Sequence, residues 1–373
     1  MRFTLRAEIY INLGISSRMW STFSDRCVIR TGGATMTHKL TNVGFLALSL
    51  MLVTGTSSLA QSPKLQQIKI AVSTATPHNT PLWVAKDKRI FDKYGIDAQT
   101  IFVMGGALVS QMLAAGEIQI AANAPAALVS LIAAGENIAM FLGISNTSPF
   151  ALIAQPSIKK AADLRNKRLG TARFGGSSHV SALIALDHLG LDAKRDNIIL
   201  MQTGLDPERM AALEQKGLDA AMLQRLATKT MLAKGYSEIL NLSRAKIPYQ
   251  NTVLAARRDY MSSNAKLIDA FTRAVVEGYA YVFNKENKQS VKEIIAKNLR
   301  LPNADAAEEF YLEAQEELDR KPYPTIEGTR TVLKFVAERN PKVAAIKAEE
   351  IVDLSWLKKL DDEGFFDKVY RGK

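Results

Sequence analysis

Cysteine is almost absent from this chain of 373 residues: Cys27 is its single cysteine. Histidine is also rare, with four residues. A disulfide framework, a cysteine nucleophile and a cysteine metal site are therefore excluded downstream of Cys27. We expect no metal, since two loop histidines, His78 and His179, are too few for a metal site. The chain also lacks the glycine-rich loop ending in lysine and serine or threonine that binds nucleotide phosphates. No cofactor and no nucleotide hydrolysis are expected.

Long apolar runs are missing too, apart from one short stretch near the N-terminus. Val43 to Val53 is about half as long as the roughly 20 residues that a helix needs to cross a bilayer. A basic start, Met36-Thr37-His38-Lys39, precedes it, and the small residues Ser58-Leu59-Ala60 follow. This order is typical of a cleavable secretory signal peptide. It predicts a soluble periplasmic protein that is cleaved after Ala60. The residues before Met36 indicate either that translation truly starts at Met36 or that the export leader is unusually long.

Charge is not concentrated anywhere along the chain. Residues 61–373 contain 42 basic and 35 acidic side chains, a formal net charge of +7. No basic block interleaved with aromatic residues occurs, so nucleic acid is not an expected partner. The composition, 47% hydrophobic and 23% charged, is ordinary for a globular protein, and the length is sufficient for two packed domains.

The chain is rich in alternating strand and helix patterns. Apolar strands are predicted at Ile68 to Val72, Ala98 to Met104 and Ile118 to Ala122, each followed by a helix. Thr80-Pro81 predicts the start of the first helix, with the Thr80 hydroxyl as cap and an end near Tyr94. Repeated strand, helix and strand units imply a parallel α/β sheet covered by helices.

The same pattern returns further along the chain. Ala115 to Ala121 and Lys216 to Ala221 look like one element used twice, which predicts two similar lobes. After the strand Thr252 to Ala256, long amphipathic helices follow. We expect this helical C-terminal segment to pack back on the first lobe.

Several short sequence motifs follow one another in a characteristic order over about residues 66 to 370. They are Thr80-Pro81, Gly105-Gly106 before Leu113 to Ile118, Asp163 to Gly170, and Val352-Asp353 with Gly364-Phe365. In order and spacing the chain resembles the periplasmic nitrate, sulfonate and taurine family of ABC-transporter solute-binding proteins, which includes thiamine-precursor binders.

The resemblance implies the type II periplasmic binding fold. This α/β fold has two Rossmann-like lobes joined by two crossover strands, with the ligand in the cleft between them. Residues 65–152 and 250–373 would form the first lobe, and residues 153–249 the second.

Candidate ligand-binding residues follow from the rule that open parallel sheets bind ligands beyond the carboxyl ends of their strands. They are Thr76, His78, Asn79, Gly105, Gly106, Asn123, Arg173, Phe174, Gly176, Ser177, Ser178, Gln224 and Tyr249.

Different chemistry is expected from different members of this set. The small residues at Gly105-Gly106 and Gly176-Ser177-Ser178 would offer helix N-termini to an anion, or would simply form turns and caps. Arg173 would hold a carboxylate or sulfonate, or be a solvated surface arginine. Tyr249, expected to be exposed near the hinge, would cover an apolar part of the ligand together with Phe174. His78 and His179 either meet across the cleft or serve as hydrogen-bonding and capping groups.

The expected function is the substrate-binding component of an ABC importer. A monomer would capture a small anionic or organic solute, such as a sulfonate, taurine or nitrate, and deliver it to the permease and its ATPase. Two alternatives stay open. One is an enzyme on the same scaffold, although thiamine-pyrimidine synthases of this kind have a cysteine-rich motif that is missing here. The other is a periplasmic sensor subunit.

Overall fold

A computed structural model describes residues 65–371, so the predicted export signal at residues 1–60 lies outside the described residues. The strands are β1 (Gln66–Val72), β2 (Ile96–Phe102), β3 (Ile120–Asn123), β4 (Ile138–Ser145), β5 (Phe150–Ala154), β6 (Arg168–Thr171), β7 (Ile199–Gln202), β8 (Ala220–Gln224), β9 (Ser237–Asn241) and β10 (Thr252–Arg257). The α-helices are α1 (Thr80–Asp87), α2 (Ile90–Lys93), α3 (Gly106–Ala114), α4 (Pro125–Ile132), α5 (Ser177–His188), α6 (Asp206–Glu214), α7 (Arg225–Ala233), α8 (Arg258–Ser263), α9 (Ala265–Phe283), α10 (Lys288–Leu299), α11 (Glu308–Glu317), α12 (Ile326–Ala337), α13 (Ala348–Ile351), α14 (Ser355–Asp362) and α15 (Phe365–Tyr370). Between residues 65 and 371, no helix has the length and apolar character of a membrane span.

The strands form two five-stranded sheets with the same arrangement. The first has the order β2-β1-β3-β10-β4 and the second the order β7-β6-β8-β5-β9. In each sheet the first three strands pair in parallel, and the fourth is antiparallel to both of its neighbours. The prediction of an α/β protein with two Rossmann-like lobes is therefore confirmed. The predicted repeat is also present, since β3 and β8 occupy equivalent positions, each after a turn with a positive φ angle at Gly116 or Lys216.

The chain crosses between the sheets twice, from β4 to β5 and from β9 to β10. All of β5 pairs with β8, beginning at Phe150 opposite Gln224. The first crossing thus lies before Phe150, a few residues earlier than the boundary placed after residue 152. The apolar runs of β4 and β5 lie so close in sequence that pattern alone did not separate them.

Helices cover both faces of the first sheet. One face packs against α1, α2, α9, α10, α11, α14 and α15, and the other against α3, α4, α12 and α13. Most of the helical C-terminal segment therefore lies on the first lobe, as expected. Helix α12 differs, because Val332 and Phe335 also pack in the core of the second sheet. This helix contacts both lobes.

Two local predictions about the first helix are wrong. The segment from Thr80 to Tyr94 is not one helix, because Arg89 adopts a left-handed conformation with φ of 56° and separates α1 from α2. The Thr80 hydroxyl does not cap the helix by accepting a hydrogen bond. It donates one to the carbonyl oxygen of Pro77 at 2.5 Å. It thereby joins α1 to the short 3-10 helix Pro77–Asn79 that precedes it.

The buried amide of Gln250 links the two crossing segments. Its Nε2 donates to the Ser145 carbonyl at 3.0 Å and to Asn146 Oδ1 at 2.9 Å, at the end of β4. Its Oε1 accepts a hydrogen bond from the backbone N–H of Thr325 at 2.7 Å, immediately before α12. With 0% of its surface exposed, this side chain fixes the position of both crossings relative to α12.

Candidate functional site

A cavity of about 370 Å³ lies between the two lobes and is lined by both. The first lobe contributes the loop Thr74–His78 after β1 and Ala124 after β3. The second contributes Ser177 and Asp206, which lie beyond the carboxyl ends of β6 and β7, and Gln224, which is the last residue of β8. Ligand sites in open α/β sheets are found at such strand ends.

Four helices begin at this cavity. Ala124 directly precedes α4, Ser177 and Asp206 are the first residues of α5 and α6, and Arg225 is the first residue of α7. The first-turn N–H groups of a helix have no partner within the helix and carry a partial positive charge. The carboxylate of Asp206, the first residue of α6, already has partners within the protein: Oδ2 accepts a hydrogen bond from the N–H of Gln224 at 3.3 Å and Oδ1 pairs with Arg209.

The strongest concentration of ionisable groups is at the first-lobe wall. His78, only 2% exposed, places Nε2 2.9 Å from Glu317 Oε2 and 4.0 Å from Glu313 Oε1. Burial disfavours the protonated, charged form of His78 and by itself would lower its pKa. The hydrogen bond to Glu317 and the charges of both carboxylates outweigh this effect, so the pKa of His78 is raised. We therefore assign an ion pair between His78 and Glu317.

Glu313 differs from its neighbour. Its side chain is 12% exposed and lines the cavity, and no residue in the range 65–371 donates a hydrogen bond to its carboxylate. Burial raises the pKa of Glu313 to about 7, and the negative charge of Glu317 adds to this shift, whereas His78 and Arg225 oppose it. At neutral pH this carboxyl group therefore holds a proton more readily than an ordinary glutamate does.

Ion pairs bridge the lobes beside the cavity. Arg225, at the start of α7 in the second lobe, contacts Glu316 and Glu309 of α11 on the first lobe. One turn later in α7, Lys229 Nζ lies 2.5 Å from Glu309 Oε1. These pairs connect the two lobes directly, but all four side chains are partly exposed, so each contributes at most about 1 kcal/mol.

Apolar side chains complete the cavity wall. Phe150 from β5 lines it on one side, with Leu226 from α7. Leu299, Leu301 and Phe310, all from the C-terminal segment, line the other. The combination of apolar walls with a few polar groups is typical of small-molecule sites.

Only four of the predicted residues line the cavity: Thr76, His78, Ser177 and Gln224. Gly106 and Asn123 instead pack against each other, and Gly105 directly precedes α3 with a positive φ of 108°. Asn123 is buried and its Nδ2 donates to the Gly106 carbonyl and to Ser110 Oγ, both at 2.8 Å. A Cβ at residue 106 would lie 2.7 Å from Asn123 Oδ1, so a larger residue there would displace the Asn123 side chain.

Asn79, Gly176 and Ser178 shape the loops behind the cavity wall. Asn79 Nδ2 donates to the Thr74 carbonyl at 2.8 Å, which holds the loop after β1. Gly176 precedes the first residue of α5, and Ser178 Oγ accepts a hydrogen bond from the N–H of Ala172 at 2.7 Å. The side chains of Asn79 and Ser178 thus bind the backbone of these loops.

The remaining predicted positions differ from expectation. Tyr249 is not exposed: 1% of its surface is accessible, and it packs in the core of the second sheet. Arg173 and Phe174 are exposed and do not line the cavity. Phe174 lies edge-on to His179 at 5.1 Å. His78 and His179 have separate partners, since His179 Nδ1 accepts a hydrogen bond from the N–H of Gly175 at 3.3 Å.

The contribution of α11 is not among the features predicted from the sequence. The rule for open sheets selects only the carboxyl ends of strands, whereas Phe310 and Glu313 reach the cavity from a helix almost 200 residues beyond the first strand–helix units. One signal was available. Phe310, Glu313 and Glu317 are spaced i, i+3 and i+7 and so share one face of a helix, which puts two carboxylates beside an aromatic ring.

Comparison with known proteins provides independent evidence. The NMT1/THI5 like family matches residues 76–288. A protein of Brucella abortus (strain 2308), named provisionally as a binding protein, is 32% identical over 141 residues, which are 37% of this chain and 41% of the Brucella protein. The matched segment thus spans about two fifths of that relative.

Solved structures share the fold at low sequence identity. The periplasmic aliphatic sulphonate binding protein SsuA from Escherichia coli has a TM-score of 0.62 and 17% identity, covering 77% of this chain and 92% of that one. The periplasmic nitrate-binding protein NrtA from Synechocystis PCC 6803 has a TM-score of 0.58 and 13% identity, covering 83% and 92%. The family match covers more than half of this chain, and it agrees with two sheets of identical strand order and a cavity between them. The chain belongs to the NMT1/THI5 like family.

Proposed function

We propose that the protein is the substrate-binding component of an ABC importer, which captures a small solute between its lobes and delivers it to a permease and its ATPase. The observation that carries this proposal is the composition of the cavity wall, to which both lobes contribute. A ligand that contacts both lobes favours their closed arrangement, and a partner can recognise that arrangement.

The similar proteins support the same reading. SsuA is named for sulphonate binding and NrtA for nitrate binding, and both are described as periplasmic. In this proposal the protein acts as a monomer in the periplasm, after export directed by the predicted signal at residues 1–60. It binds its ligand without changing it chemically. The ligand contacts we propose are Thr76, His78, Ser177 and Gln224 from the prediction, together with Arg225 and Glu313.

Two variants on one helix test the location of the site. Leu226 and Leu232 are both exposed on α7, but only Leu226 lines the cavity. Leu226→Trp narrows the cavity and should weaken binding of any stabilising compound at least tenfold, whereas Leu232→Trp should leave binding unchanged. The measurement is isothermal titration calorimetry on compounds first selected by thermal shift. Equal affinities for both variants would place the site elsewhere.

What happens to the bound ligand distinguishes a transport protein from an enzyme or a sensor. Mass spectrometry of a bound compound after prolonged incubation with the protein should recover it unchanged. Recovery of a product in amounts exceeding the protein would show an enzyme. Uptake of the labelled compound by cells should require both this protein and an intact permease, and loss of a signalling response with uptake unaffected would favour a sensor.

A further inference from the structure

The cations and carboxylates at the cavity wall are not balanced. Two cationic side chains line the cavity, His78 and Arg225, and each already has a carboxylate partner. The two lining carboxylates differ, because Asp206 pairs with Arg209 whereas Glu313 has no hydrogen-bond donor among residues 65–371. An anionic ligand would therefore find no free cationic side chain at the described wall. A ligand with a positive charge or an N–H donor would find Glu313.

Burial makes this carboxylate an effective recognition group. Glu313 is about nine-tenths buried, and a buried carboxylate without a partner is costly. The nearest cation, the Nε2 of His78 at 4.0 Å, is directed to Glu317 by a hydrogen bond of 2.9 Å. A ligand nitrogen placed against Glu313 would supply the missing donor to a carboxylate that is itself largely removed from water. Charge-assisted hydrogen bonds are strongest in such surroundings.

The adjacent surface is apolar. Phe310 precedes Glu313 by one helical turn and also lines the cavity, together with Leu299 and Leu301. The body of the ligand next to its nitrogen is thus expected to be a hydrocarbon chain or a flat ring rather than a second charged group.

We propose that the ligand of this cavity carries a basic nitrogen on an apolar or aromatic body, and that the Glu313 carboxylate binds that nitrogen. This inference rests on the proposed function and names the class of ligand. It replaces the anionic head group that the sequence suggested through Arg173.

The charged groups around Glu313 predict how affinity changes with pH. They are His78 and Arg225, which line the cavity, with Glu317 and Glu316 beside them. Burial raises the pKa of Glu313 to about 7, so below neutral pH a cation must displace a proton to bind. An amine that stays protonated should bind about tenfold more tightly at pH 8 than at pH 6, because one titrating group accounts for up to tenfold per pH unit below its pKa. Deprotonation of His78 acts in the same direction, whereas an anion should show the opposite trend.

The test uses pairs of compounds that differ only in the nitrogen. We would titrate the purified protein with benzylamine against benzyl alcohol, and with taurine against 2-hydroxyethanesulfonate, together with nitrate and Zn²⁺. Benzylamine should bind at least tenfold more tightly than benzyl alcohol, whereas a preference for taurine over 2-hydroxyethanesulfonate without a preference for benzylamine would contradict the apolar body. Glu313→Gln should lose the preference for benzylamine, and Glu338→Gln, at an exposed glutamate, should retain it. The melting temperature of Glu313→Gln without ligand checks folding, and the pH trend of the wild-type protein needs no variant.

Each outcome has a defined meaning. A preference for benzylamine that rises with pH and depends on Glu313 supports the inference. Binding of nitrate or of nitrogen-free sulfonates alone overturns it but leaves the proposed function intact. Stabilisation by Zn²⁺ alone, abolished in Glu313→Gln, overturns it in favour of a metal site at His78, Glu313 and Glu317. No binding by any compound counts against both the inference and the proposed function.

Discussion

Replacing Gln250 by leucine should destabilise the protein by about 3 kcal/mol. The amide donates to the Ser145 carbonyl and to Asn146 Oδ1, and accepts a hydrogen bond from the Thr325 N–H. Leucine has a similar size but makes none of these bonds, each worth about 1 kcal/mol net. The Thr325 N–H has no other partner between residues 65 and 371, and an unsatisfied buried donor costs about 1–3 kcal/mol. Greater burial of apolar surface by leucine offsets part of this loss.

Urea unfolding followed by circular dichroism measures this effect. The midpoint should fall while the slope of free energy against urea concentration stays unchanged, since the surface exposed on unfolding is the same. Gln289→Leu is the control, because Gln289 is exposed on α10 and, within residues 65–371, its side chain hydrogen-bonds to Glu293 alone. A loss below 1 kcal/mol for Gln250→Leu, or an equal loss for both variants, would refute the role of Gln250 in fixing the crossings.

Three further predictions concern packing, closure and pH. Gly278→Ala should lower the free energy of unfolding in urea by about 1–3 kcal/mol, because the added Cβ would lie 2.4 Å from the Pro81 carbonyl oxygen where α9 crosses α1. The control is Gly235→Asn, at an open position of positive φ, which should lower it by less than 1 kcal/mol. Lys229→Gln should weaken ligand binding two- to fivefold and reduce the salt dependence of the affinity, since the ion pair of Lys229 with Glu309 bridges the lobes. Calorimetry at about 0.05 and 0.5 M NaCl measures both effects. A salt dependence equal to that of the wild type would contradict the bridging role. Because the folded protein raises the pKa of both Glu313 and His78, these groups favour folding at low pH and lose that contribution as pH rises, for Glu313 between about 4.5 and 7. The stability of Glu313→Gln relative to the wild type should therefore increase by about 3 kcal/mol over that range in urea titrations, and a constant difference would show that Glu313 titrates normally.

Local patterns predicted the individual elements of this fold well. Strand predictions at Ile68 to Val72 and Thr252 to Ala256 lie within β1 and β10. The repeated segment before β3 and β8 indicated two equivalent lobes, and both sheets have the same strand order. These successes share a cause, since apolar periodicity and glycine turns act over a few residues and need no distant partner.

Prediction of the site was less complete because side-chain roles depend on distant neighbours. Asn123 follows a strand and so met the rule for ligand residues, yet the approach of α3 makes it a packing amide. Tyr249 lies near a crossing and was expected to be exposed, but α12 covers that surface with Val332 and Phe335. In both cases a helix that packs against the residue determines its environment, α3 for Asn123 and α12 for Tyr249.

By itself, the sequence determined the alternation of strands and helices, the duplication of the lobes and the strand ends at which a ligand site would form. Only the tertiary structure decided which helix ends meet across the cavity, and that α11 brings Glu313 to it without a partner while Arg225 is neutralised by Glu316. The physical reason is that hydrogen-bonding periodicity is local, whereas the pairing of charges some 90 to 240 residues apart depends on how whole helices pack.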